Sequence, residues 1–143
     1  MKQYQHPDAL VSTQWLEKNL TAPNLRIFDC TRYLLADDDN APYRVQSGRE
    51  DYDREHIPGA AFLDLQQDLS DNEAALRFTL PRLDDLADRF SRAGIGQDSR
   101  VVLYSRSSMQ WATRVWWMLR AIGFDRAAVL DGGWEKWASE QRA

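Results

Sequence analysis

The stretch Val101-Val102-Leu103-Tyr104-Ser105-Arg106-Ser107-Ser108-Met109-Gln110, continuing as Trp111-Ala112-Thr113-Arg114-Val115-Trp116-Trp117-Met118-Leu119, decides the fold of this 143-residue chain. Val101–Tyr104 is a short apolar run, the pattern of a strand buried on both faces. Trp111, Val115, Met118 and Ile122 trace one face of a helix that should lie on a sheet. Ser105–Gln110 therefore hands a strand over to a helix, the place where a parallel α/β domain keeps its chemistry. A loop there can aim successive backbone N–H groups at one point and cradle an anion. Its first residue is a serine. A cysteine in that place would have a lowered pKa and act as a nucleophile near neutral pH, whereas a serine hydroxyl stays protonated unless a base stands beside it.

Outward from this loop, strands and helices alternate. Ala9-Leu10-Val11 reads as a first strand, and Ser12 can cap a helix carrying Trp15, Leu16 and Leu20. Leu25–Asp29 reads as a second strand. A long connection, with an acidic surface loop at Ala36–Pro42, leads to a third at Ala60–Leu63. Leu83, Leu86, Ala87 and Phe90 fall at i, i+3, i+4 and i+7, an amphipathic helix that begins near Pro81 and stops at Gly94. After the central helix ends near Gly123, Ala127–Leu130 forms a fifth strand. Gly132-Gly133 then turns the chain into a short helix with Trp134 and Trp137. The two glycines suit a tight turn and close helix–sheet packing, and Asp131 is placed to cap the last helix. The expected architecture is α/β: a parallel sheet of about five strands with helices on both faces.

Composition narrows the function. The length suits one domain, residues 1–143, with a sizeable core. A net charge of −4 argues against a general nucleic-acid binder. Fifteen of the 18 basic residues are arginine, which suits oxyanions but equally reflects a compositional bias. The lone cysteine, Cys30, excludes an internal disulfide, a CxxC pair and a thiolate metal site. No run reaches membrane-spanning length, and Met-Lys-Gln-Tyr-Gln-His-Pro has no apolar signal core, so a cytoplasmic location is expected. Neither GxGxxG nor GxxxxGK[ST] occurs. No metal and no cofactor is expected.

Three segments together resemble the rhodanese family of sulfurtransferases. Tyr52-Asp53-Arg54-Glu55-His56-Ile57-Pro58-Gly59-Ala60 is similar to the family's N-terminal signature. Leu130-Asp131-Gly132-Gly133-Trp134-Glu135-Lys136-Trp137 is similar to its C-terminal one. Val101–Leu119 resembles the strand, active loop and helix between them. The Trp-Leu segment near the start, Thr113–Arg120, and the Leu-Pro segment before the amphipathic helix resemble the first half of tandem-domain thiosulfate and 3-mercaptopyruvate sulfurtransferases. The resemblance implies a silent first domain and, as its partner, a C-terminal catalytic rhodanese domain that takes a small sulfur-donor anion. The family loop begins with a cysteine, which carries the persulfide, at the position of Ser105, and has a glycine, suited to positive φ, where Ser108 stands. An oxygen nucleophile makes no persulfide. Ser105, Arg106, Ser107, Ser108, Met109 and Gln110 are then a vestige of the site that retains backbone N–H groups for an anion.

Other residues compete for a role. A serine hydrolase needs a base, and the chain offers only His6 and His56. His56 belongs to the signature turn, where hydrogen bonding is the plain expectation; lining an interdomain cleft is the sharper one. Cys30 follows a strand but has no glycine-rich ring around it, and reads as a small buried hydrophobe. Trp116 and Trp117 lie off the sheet-facing stripe of their helix, so either neighbouring elements cover them or they dock a second domain. Two rival functions follow: a stand-alone rhodanese-fold binding or regulatory module, and an active single-domain enzyme, either a sulfurtransferase using Cys30 or a phosphatase of the related fold. The phosphatase also requires a loop cysteine.

Overall fold

The computed structural model describes residues 7–36, 43–71 and 79–142. After a 3₁₀ turn at Pro7–Ala9 come β1 (Leu10–Val11), α1 (Thr13–Asn19), β2 (Leu25–Asp29), β3 (Arg32–Ala36), β4 (Tyr43–Ser47), α2 (Arg49–Arg54) and β5 (Ala61–Phe62). The second half holds α3 (Leu65–Leu69), α4 (Leu83–Arg92), β6 (Arg100–Tyr104), α5 (Gln110–Ala121), β7 (Ala127–Leu130) and α6 (Gly133–Ser139). The main sheet has the order β1-β7-β6-β2-β5. Every neighbouring pair in it is parallel.

Alternation along the strands sorts the core into two layers. Phe28, Val101, Leu103, Ala127 and Val129 face α3, α4 and α5, where they meet Leu65, Leu86, Phe90, Val115 and Met118. Ile27, Val102, Tyr104, Ala128 and Leu130 face the other way, onto Leu16 of α1, Ile57 and Trp137 of α6. Ser12 caps α1, its side chain accepting from the Trp15 N–H.

Within the long connection after β2, the described residues form β3 and β4, paired antiparallel and separate from the main sheet, followed by α2. The side chain of Arg32 is buried and pairs with Asp64 at 2.5 Å. Asp64 in turn caps α3 by accepting from the Gln66 and Gln67 N–H groups. Gly48 closes the hairpin against Thr31: its N–H reaches the Thr31 carbonyl at 2.9 Å, and a Cβ on it would lie 2.6 Å from the Thr31 side chain. These long-range contacts leave no periodic mark in the sequence. Of the acidic stretch expected at Ala36–Pro42, residues 37–42 lie outside the described residues, as does His6.

Two other expectations are corrected. Leu83 does not join the buried face of α4; it stands at the first position of that helix and is 49% exposed, while Leu86 and Phe90 are buried. Asp131 does not cap α6: Gly132 holds the N-cap position at φ 85°, and no side chain caps that end.

Phe90→Ala should lower the stability measured by urea unfolding by about 3–5 kcal/mol, since it leaves a cavity beneath the sheet. Leu83→Ala should change it by less than about 0.5 kcal/mol. Equal losses would contradict the burial of one and the exposure of the other.

Candidate functional site

The carboxyl ends of β2 and β6 lie side by side, with Asp29 opposite Tyr104. The chain crosses from β2 to β5 on one side and has β6 on the other, the switch point at which such sheets open a crevice. The loop Ser105–Gln110 runs over this point and leads into α5.

Its polar groups are bonded within the protein. Ser105 is buried, and its hydroxyl donates to the Ser108 carbonyl at 2.6 Å. The Arg106 N–H donates to Thr31 Oγ1 at 3.0 Å. The Ser107 N–H donates to both carboxylate oxygens of Glu135, at 3.2 and 3.1 Å. The Ser108 N–H reaches the Arg106 carbonyl at 2.7 Å, and the Gln110 N–H reaches Ser108 Oγ at 3.2 Å. Met109, 40% exposed, sits at the N-cap of α5 without a side-chain cap. Its carbonyl accepts from the Thr113 hydroxyl at 2.9 Å. The loop's positive φ falls on Ser107, at 64°, and not on Ser108. A left-handed residue is needed to curl this ring, one position earlier than the sequence suggests, and it is supplied without glycine.

Arg106 does not point its charge at the loop. Its guanidinium donates to the carbonyls of Asp51 and Glu55 at 3.2 and 2.5 Å, capping the end of α2, and lies 4.2 Å over the Trp134 ring. On the far side, Gly133 is backed against the loop. Its φ is 60°, and a Cβ there would meet the Ser105 carbonyl oxygen at 2.8 Å. The Trp134 N–H donates to that same oxygen at 3.3 Å. The glycine pair thus serves a tight turn, as expected, but the close approach is to the loop's backbone.

Beneath the loop lies a buried carboxylate. Asp29 Oδ1 accepts from the Thr31 N–H at 2.9 Å and from the Thr31 hydroxyl at 2.5 Å, while Oδ2 has no partner among the described residues. Burial raises the pKa of Asp29, and its two bonds from Thr31 oppose the rise. Burial pushes the Tyr104 hydroxyl up as well, with the Asp29 charge adding to the effect. That hydroxyl accepts from the Ile57 N–H at 3.2 Å. Cys30 is wholly buried, its thiol pKa pushed well up by burial and then by the Asp29 charge. It is buried among apolar side chains, as the sequence suggests.

His56 is exposed, stacked on Tyr52 at 4.1 Å, with Nδ1 2.8 Å from the Tyr52 carbonyl. No hydrogen bond joins it to Ser105, whose hydroxyl is spent on a carbonyl. His56 lines a cleft of about 610 Å3 with Trp134 and Arg142. A larger cleft, about 830 Å3, lies between α3 and α4 and takes no residue from the loop. The two tryptophans of α5 part company. Trp116 is half-buried, its indole N–H on the Ala127 carbonyl at 3.1 Å. Trp117 is 47% exposed, with the Arg114 guanidinium 4.9 Å over its ring.

Among the described residues no group of three or more His, Cys, Asp or Glu could hold a metal ion, and no helix is long and apolar enough to cross a membrane. Sequence reasoning did not find Asp29, Thr31 or Glu135. A carboxylate at a strand's carboxyl end and an acid in the first turn after Gly132-Gly133 were the available signals.

The family model of the rhodanese-like domain matches residues 12–140. The chain is 37% identical over 135 residues to human 3-mercaptopyruvate sulfurtransferase, covering 90% of this chain and 43% of that protein. It is 34% identical over 138 residues to thiosulfate sulfurtransferase of Cricetulus griseus, covering 92% and 43%. Among solved structures, SseA from Escherichia coli, described as a 3-mercaptopyruvate sulfotransferase, superimposes with a TM-score of 0.77 at 28% identity, covering 93% of this chain and 48% of that one. The chain thus spans less than half the length of these relatives.

The raised pKa of Asp29 fixes a sign. Below the ordinary carboxylate range both folded and unfolded chains hold the proton, and the residue carries no penalty. As pH rises, the unfolded chain ionises first, so stability falls until the pH passes the folded-state pKa. Asp29→Asn keeps an acceptor for Thr31 and removes this charge. Its unfolding midpoint should match the wild type in acid and exceed it progressively toward neutral pH. A difference independent of pH would contradict a proton-linked penalty at Asp29.

Proposed function

Since the chain belongs to the rhodanese-like family, we propose that it is the non-catalytic, N-terminal half of a two-domain sulfurtransferase. In the parent protein a sulfur atom moves onto a cysteine of the second domain, from thiosulfate with cleavage of its S–S bond and release of sulfite or from 3-mercaptopyruvate with cleavage of its C–S bond and release of pyruvate, and the resulting sulfane sulfur passes to a thiophilic acceptor. This half stabilises that domain and forms one wall of its cleft.

Ser105 carries this proposal. It stands at the start of the loop, where the family's chemistry calls for a thiolate. Its hydroxyl proton is committed to the Ser108 carbonyl, and no base accepts from it. Carrying a sulfane sulfur as an enzyme persulfide needs a sulfur nucleophile that can form and release an S–S bond, which an alcohol does not supply. Cys30 is no substitute, being fully buried with its thiol held protonated. The span of the chain, less than half of its relatives, agrees with one half of a tandem pair. Trp117 supports docking, as a large aromatic left half in solvent on a helix whose other face is buried.

The test is direct. The purified chain is given thiosulfate with cyanide, or 3-mercaptopyruvate with a thiol acceptor, and both turnover and the intact mass of the protein are measured. Neither turnover nor a sulfur adduct is expected. Thiocyanate formation that is lost in Cys30→Ser would overturn the proposal and make the chain a catalyst in its own right.

A further inference from the structure

We infer that Glu135 is an internal ligand of the Ser105–Gln110 loop, an intramolecular carboxylate that competes with small oxyanions for the Ser107 N–H. This rests on taking the loop as the remnant of an anion site. The structure already has an anion there, since both oxygens of Glu135 lie within 3.2 Å of the Ser107 nitrogen.

The arrangement is built from both sides. Ser107 adopts φ 64°, a left-handed conformation uncommon in a non-glycine residue, and this turns its N–H toward α6. On the α6 side, Gly133 allows an approach to the Ser105 carbonyl that a Cβ would block at 2.8 Å. Trp134 then donates its N–H to the same carbonyl and stacks beneath the Arg106 guanidinium. Glu135, the next residue, is thereby delivered to Ser107. Glu135 is exposed, so it can leave without breaking the core.

The charges nearby fit a closed site. Arg106 is the loop's own cation, but its guanidinium is bound to the Asp51 and Glu55 carbonyls. Asp29 lies buried beneath. An incoming oxyanion must therefore displace Glu135 from the Ser107 N–H and tolerate its repulsion nearby. Both terms are those of exposed charges at contact, and together they correspond to about a tenfold change in affinity.

The experiment titrates the whole chain with inorganic thiosulfate, and separately with inorganic sulfate, following the Ser107 amide resonance. Wild type, Glu135→Ala and Glu135→Gln are compared. Glu135→Ala should bind about tenfold more tightly than wild type, with the shift centred on Ser107, and Glu135→Gln should fall between. Equal affinities at Ser107 in wild type and Glu135→Ala would overturn the role of Glu135 while leaving the loop an anion site. No shift at Ser107 in any of the three, or shifts centred elsewhere, would remove the anion site itself. Should Glu135→Ala not fold, the near-isosteric Glu135→Gln carries the same comparison with wild type.

Discussion

A backbone N–H leaving a buried strand must find an acceptor, and here the protein supplies those acceptors itself. Thr31 takes the N–H of Arg106, Glu135 that of Ser107, the Arg106 carbonyl that of Ser108, and the Ser108 side chain that of Gln110. A ligand-binding loop at a strand–helix junction leaves some of these groups free for its ligand. This loop leaves none of those four free. The serine at its head follows the same rule, closing the ring onto the Ser108 carbonyl.

The closed loop ties together elements that are far apart in sequence. Asp29 at the end of β2 organises Thr31, and Thr31 holds Arg106. Arg106 caps α2 and packs on Trp134, and the turn into α6 is docked on the Ser105 carbonyl. The loop is thus a structural junction between β2, α2, β6 and α6. Within it lies the buried Asp29 carboxylate, its pKa raised by burial and one of its oxygens without a partner among the described residues.

Much of the frame could be read from residue order alone. The apolar run at Val101–Tyr104, the spacing of Leu86 and Phe90, the Ser12 cap and the Gly132-Gly133 turn report local physics, and each gave an element in the right place. The hairpin β3–β4 could not be read, because its supports are contacts distant in the chain: Arg32 with Asp64, and Gly48 against Thr31. The loop was legible as a place but not as a set of bonds. Nothing local says that Glu135 reaches Ser107, that Arg106 turns away to α2, or that the positive φ falls on Ser107. Leu83 and Asp131 show the same limit from the other side, since each had a sound local role that the surrounding packing did not take up.

The central claim is that the N–H groups of Arg106, Ser107, Ser108 and Gln110 are already bonded within the protein and so do not stabilise an anion at the loop's first residue. It is tested most directly by placing a thiol there and measuring its ionisation. In Ser105→Cys, the rate of alkylation by iodoacetamide is followed against pH, with the buried Cys30 as the internal silent thiol. The account predicts a thiol that reacts slowly and ionises no more readily than a free cysteine, because it faces the Ser108 carbonyl instead of free donors. A thiol largely ionised near neutral pH would contradict it, revealing a working cradle in which only the sulfur is missing.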